Sequence, residues 1–200
     1  ANAANATAIG TQARALGQKS FAIGQKATAS KANSLAFGVS SSSSGVSSTA
    51  IGTSANASGQ LSVALGFSAE AQALNSMASG TKALASGIDS LAVGTSASAT
   101  AQRTTAIGTL SQASALDGVA IGYQAGSDLT TGGWNTLVGM YAGVELTTGR
   151  DNCAYGYNSL YKNITGSNNV AVGYDALYNA LGDSNVAIGY DAGDVITTGE

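Results

Sequence analysis

Ser62-Val63-Ala64-Leu65-Gly66-Phe67-Ser68-Ala69-Glu70-Ala71 is a short apolar run that ends on a glycine, followed by alanines three and five places later. The pattern recurs. Gly10, Gly24, Gly38, Gly52, Gly66, Gly80, Gly94, Gly108 and Gly122 each lie 14 residues after the last, Gly139, Gly156 and Gly173 follow at steps of 17, and Gly189 at a step of 16. A fixed period over so many copies is the signature of a repeat architecture in which neighbouring units bury a continuous core.

Each unit reads as two short strands. Before the glycine stand triplets such as Leu91-Ala92-Val93, Val119-Ala120-Ile121 and Val170-Ala171-Val172, in which two larger residues flank one alanine. Alternation with period 2 sends the larger pair to one face and the alanine to the other. The second strand carries Ala27 and Ala29, Ala55 and Ala57, or Ala83 and Ala85. The complementary arrangement is a large-residue face packed on the small-residue strand inside each coil, with Ala8, Ala22, Ala36 and their equivalents on the outer face. Gly and Ser every few residues, without a 3.6-residue apolar stripe, exclude helix despite the alanine content. The expected fold is all-β, a parallel β-solenoid of two strands per coil and about 13 coils. Residues 1–122 form 14-residue coils and residues 123–200 wider coils of 16–17 residues.

A coil of this length encloses few side chains, so repeats need neighbours. Other copies of the chain are the simplest source of the missing burial, which predicts an oligomer. Stacking also sets Ser20, Ser34, Ser48, Ser62, Ser76, Ser90 and Thr104 in one column, continued by Asn135, Asn152, Asn169 and Asn185. Amides so stacked form ladders of hydrogen bonds. The serine run at residues 40–44 keeps the register and is read as an ordered coil, not a linker.

Composition narrows the function. Charged residues are 10 % of the chain, against about 25 % in ordinary domains, with 8 basic and 11 acidic residues and neither proline nor histidine. No basic patch suited to phosphates is present, which argues against nucleic acid. The apolar runs are too short for a membrane span, and the single Cys153 provides no disulfide framework. Without histidine or clustered cysteines the usual triads and metal sites are absent, so neither a metal nor a cofactor is expected.

Two columns stand out in the wider coils. One place after the glycine lie Tyr123, Tyr157, Tyr174 and Tyr190, with Met140 filling the gap; Tyr161 and Tyr178 form a shorter column. Two places after it lie Gln124, Tyr141, Asn158, Asp175 and Asp191. Aromatic faces beside carboxylates suit a glycan-binding surface, and Asp175 with Asp191 is the nearest approach to a carboxylate pair or a Ca²⁺ site. A packing ladder of tyrosines and a solvated polar column are the alternatives. Trp134, beside Gly132-Gly133, is expected to plug the wider coil.

The 14-residue units, with Ser62-Val63-Ala64-Leu65-Gly66 followed by Ala69 and Ala71, resemble the head repeats of trimeric autotransporter adhesins over about residues 1–122. Units such as Gly122-Tyr123-Gln124-Ala125-Gly126, with Thr-Thr-Gly turns at Gly132, Gly149 and Gly199, resemble repeats of bacteriophage tail fibres. The first resemblance implies a left-handed β-roll; both imply a homotrimer and binding to a host surface through a glycan or protein receptor. The expected role is therefore structural and adhesive, not enzymatic: the shaft or receptor-proximal part of a trimeric phage tail fibre on the virion surface, with the head of a bacterial adhesin outside the outer membrane as the alternative. A depolymerising tailspike is the enzymatic alternative.

Overall fold

The computed structural model describes residues 1–194, so the Thr-Thr-Gly turn at Gly199 lies outside the described residues. It is all-β, a parallel solenoid of about 13 turns without helix. Its contacts divide the chain into two units, Ala1–Ser96 and Ala97–Glu200.

In the first unit, three-residue strands from Thr7–Ile9 to Leu91–Val93 stack in parallel as one sheet, and two-residue strands from Arg14–Ala15 to Leu84–Ala85 stack as the other. Register is strict: Ala8 pairs with Ala22, Ala22 with Ala36 and Ala36 with Ala50. Ser42–Ser43 is a strand in its place, so the serine run is ordered.

The facing of the first strand is the reverse of the expected one. Ala22, Ala36, Ala50, Ala64, Ala78 and Ala92 are buried inside the coil, whereas Ile9 is 56 % and Phe37 49 % exposed. The serine column supplies the reason. Ser20 and Ala22 share parity, and the Ser20 hydroxyl donates to the carbonyl of Gly17 at 2.6 Å, closing the turn from inside. Ser34 on Lys31, Ser62 on Gly59 and Ser90 on Gly87 repeat the contact. A hydroxyl committed to the inner turn takes the alanine two places on inward with it and sends the larger flanking pair out.

The interior is thereby built of two similar halves. Ser20 and Ala22 recur seven residues later as Ala27 and Ala29, all buried. The backbone has the same seven-residue period: Asn5, Gln12, Lys19, Lys26, Asn33 and Ser40 all have φ between 55° and 60°, a left-handed conformation uncommon for such residues. Its use is a hydrogen bond between coils. Lys26 N–H donates to Thr11 O at 2.9 Å and Lys19 N–H to Ala4 O at 3.0 Å. Ser43 takes an alanine's place in this interior and is satisfied by the Ser48 carbonyl at 2.8 Å.

The second unit begins in the same way, with Ser98–Ala99 and Gln112–Ala113 as second-sheet strands. Two strands per coil hold up to Ala113; in the longer coils turns replace the second strand, while the first continues as Thr136–Val138, Cys153–Tyr155, Val170–Val172 and Val186–Ile188. The longer coils bring Leu129, Leu146, Leu160 and Leu177 into a larger core with Leu137.

Asparagine replaces serine at the inner turn of the wider coils, where its amide donates to a turn carbonyl and also accepts from the next coil. Asn152 Nδ2 donates to Gly166 O at 2.9 Å, and its Oδ1 accepts from the backbone N–H of Asn169 at 2.9 Å and from Asn169 Nδ2 at 3.1 Å. Asn135 and Asn185 continue the ladder on either side. A buried group left without its partner costs about 1–3 kcal/mol. Asn152→Ala strands both the Gly166 carbonyl and the Asn169 N–H, so a loss of about 3 kcal/mol in thermal unfolding is expected; a loss below about 1 kcal/mol would deny the ladder a structural role.

Candidate functional site

The sites expected from sequence all fall in the longer coils of the second unit. Gly156 and Gly173, with φ of 138° and 139°, turn the chain sharply at the strand end and put the next residue outside the coil. The residue after that is left-handed: Tyr141, Asn158, Asp175 and Asp191 have φ between 51° and 62°. Its N–H is tied to the coil before, Asp175 to Tyr157 O and Asp191 to Tyr174 O, each at 2.9 Å. Backbone bonds therefore fix the spacing of the column.

Tyr157, Tyr174 and Tyr190 form one face-to-face stack, with ring centroids 5.0 and 5.2 Å apart and planes within 14°. Tyr161 and Tyr178 form a second, also at 5.0 Å, and Lys162 Nζ lies 5.2 Å from the Tyr178 ring. Tyr123 joins through Tyr141, not directly. The Tyr141 ring stands edge-on to Tyr123 at 5.5 Å, to Tyr157 at 6.0 Å and to Tyr161 at 6.2 Å. Thus Tyr141, placed by sequence in the polar column, fills the gap assigned to Met140, and it links the two stacks. Its residue type one place out of column was the available signal.

Stacking changes what the tyrosines offer. Rings about 5 Å apart cover the faces between them, so along the stacks it is chiefly edges and hydroxyls that face outward. The phenols of Tyr141 and Tyr161 are raised above their ordinary value, chiefly by desolvation, and that of Tyr174 chiefly by the Asp175 carboxylate. Since an ordinary phenol already titrates near pH 10, all three remain neutral donors at physiological pH.

Asp175 Oδ1 accepts from Asn158 Nδ2 at 2.8 Å, and Asp194 Oδ1 from Asn179 Nδ2 at 2.8 Å. Among the described residues no three acidic, histidine or cysteine side chains converge as metal ligands. Trp134 does not plug the coil: it is left-handed and 50 % exposed. Leu129, Leu137 and Leu146 fill the interior instead. Trp134 shares an outer column with Arg103 and Asp117, whose carboxylate takes a two-pronged contact from the guanidinium, Nη2 to Oδ2 at 2.8 Å, and is held below the usual carboxylate range by it.

Residues 1–27, 15–41, 29–55, 43–69, 57–83, 85–111 and 99–125 each match the model of the YadA head domain repeat (2 copies). Successive matches start one coil apart, or two coils at a single step. No curated protein matches the chain.

Proposed function

The chain belongs to the YadA head-repeat family, and from that membership we propose that it is the head of a homotrimeric surface adhesin, working as an adhesive structural segment with no catalytic role. The observation that carries the proposal is the outward pair of apolar columns. Ile9, Phe21, Phe37, Ile51, Val186 and Ile188 belong to them and are exposed, while each narrow coil keeps only small side chains inside. Apolar surface repeated at every strand spacing is covered best by a partner with the same period and length, which another copy of the chain provides. The trimeric number comes from the family resemblance. In this assembly the narrow coils to about residue 122 serve as shaft, and the Tyr- and Asn-bearing coils from residue 123 contact the target surface.

A tail fibre on a virion is the second reading. It is favoured by the Gly-Tyr coils, which begin where the family match ends at residue 125. Antibodies to the segment separate the two, since they label the outer surface of bacteria in one case and virion tails in the other.

Self-association is tested by light scattering. The expected mass is three times that of the chain. Val172→Asp, which sets a charge on the outward face of its strand, is expected to release monomers that unfold on dilution. A stable folded monomer of the unsubstituted segment sinks the proposal.

A further inference from the structure

We propose that the tyrosine face of the wider coils binds a linear polysaccharide, neutral or amine-bearing, laid along the coil stack so that successive sugars meet successive coils. The inference rests on the adhesive reading above and adds the chemical class of the ligand.

Repetition is the first argument. Tyr157, Tyr174 and Tyr190 offer the same group at steps of 5.0 and 5.2 Å. A ligand that engages all three must itself repeat over about the length of one sugar ring, as a chain of pyranoses does and the folded surface of a globular protein does not.

Chemistry is the second. No hydroxyl of these tyrosines has a partner within the chain among the described residues, and the ring faces between successive coils are taken up by one another. What remains is a row of phenol donors and acceptors flanked by Asp175 and Asp191. Phenols and carboxylates together recognise hydroxyl groups, each hydrogen bond contributing about 0.5–1.5 kcal/mol.

Charge is the third and it selects among glycans. Residues 123–194 hold seven acidic residues and two basic ones, a net of −5. Acidic polysaccharides are repelled by such a surface, whereas neutral chains are not and amino sugars are attracted. A second copy set face to face would bring Asp175 and Asp191 against their own equivalents, and like charges juxtaposed across an interface are costly.

Affinity electrophoresis of the assembled protein provides the test, with a linear β-glucan, a mannan and chitosan as probes and alginate as the acidic control. Retardation by at least one of the first three, and none by alginate, is expected. Tyr157→Phe/Tyr174→Phe/Tyr190→Phe keeps the rings and their stacking, so the mass of the assembly should be unchanged while binding falls at least about tenfold. Three results overturn the proposal: equal binding by the triple variant, retardation by alginate, or dissociation of the triple variant, which would assign the hydroxyls to contacts between copies. Adhesion of the intact protein to whole cells is measured in parallel. Adhesion without retardation by any of the three probes removes the polysaccharide and leaves the adhesive role; absence of adhesion removes both.

Discussion

Gly156→Ala is expected to abolish the folded assembly under conditions where the unsubstituted protein is stable. A Cβ at this position would lie 2.2 Å from the carbonyl oxygen of Gly173 and 2.6 Å from its carbonyl carbon. Both are backbone atoms of the next coil, so no side chain can turn aside. The next coil cannot retreat either, because Gly173 N–H donates to Tyr155 O and Asp175 N–H to Tyr157 O across the same gap. The glycine φ of 138° adds conformational strain of order 1–3 kcal/mol for a residue with a Cβ. Clash and strain together should cost well over about 3 kcal/mol. Circular dichroism against temperature checks it. A variant melting within a few degrees of the original would mean that the coils separate far more easily than their hydrogen bonds imply.

Leu137→Ala is expected to cost about 2–5 kcal/mol, the usual range for truncating a buried leucine, and here the loss should be reversible by a second change. Leu137 is the one described member of its strand column that is not alanine or a similarly small residue, and it is fully buried. Room for it comes from Gly126 and Gly143, where an added Cβ would lie 3.1 and 2.9 Å from the leucine's methyl carbons. The following coils use the opposite pairing: Ala154 with Leu160 and Ala171 with Leu177, the leucines taking the place of Gly143 in a left-handed conformation, φ 54° and 52°. Interior volume is thus held nearly constant while its source moves from strand to turn. Gly143→Leu alone should destabilise by overpacking, which typically costs about 1–3 kcal/mol. Leu137→Ala/Gly143→Leu recreates the pairing of the neighbouring coils and should melt closer to the original than either single variant. Coupling of this sign, about 0.5–3 kcal/mol for residues in contact, comes from thermal melts of the four proteins. Strictly additive losses would show that the two positions do not share a space.

The tyrosine columns illustrate how far sequence reaches. Tyr123, Tyr157, Tyr174 and Tyr190 were legible as one column, and Asp175 and Asp191 as its neighbour, because a fixed period assigns every residue a place on the stack. Ring orientation was not legible. Whether a tyrosine shows its face or its edge depends on χ angles set by the ring one coil away, and Tyr141 left its own column to join another. Trp134 fails for a related reason. Its size suited the space in a widened coil, but that space is filled from Leu129, Leu137 and Leu146, and the left-handed backbone at Trp134 turns its side chain outward.

What the sequence determined by itself was the periodic part. The glycine spacing specified parallel stacking, the coil count, the strict pairing of Ala8 with Ala22 and its successors, and the asparagine ladder, since all of these follow from counting residues along a repeat. Tertiary structure decided the facing. Period-2 alternation separates Ala22 from Phe21 and Ile23 without saying which side is inside, and complementary sizes pointed the wrong way. The turn settles it: Ser20 reaches the Gly17 carbonyl only from within the coil, the alanine follows by parity, and the large apolar residues are left outside, where only another surface can cover them.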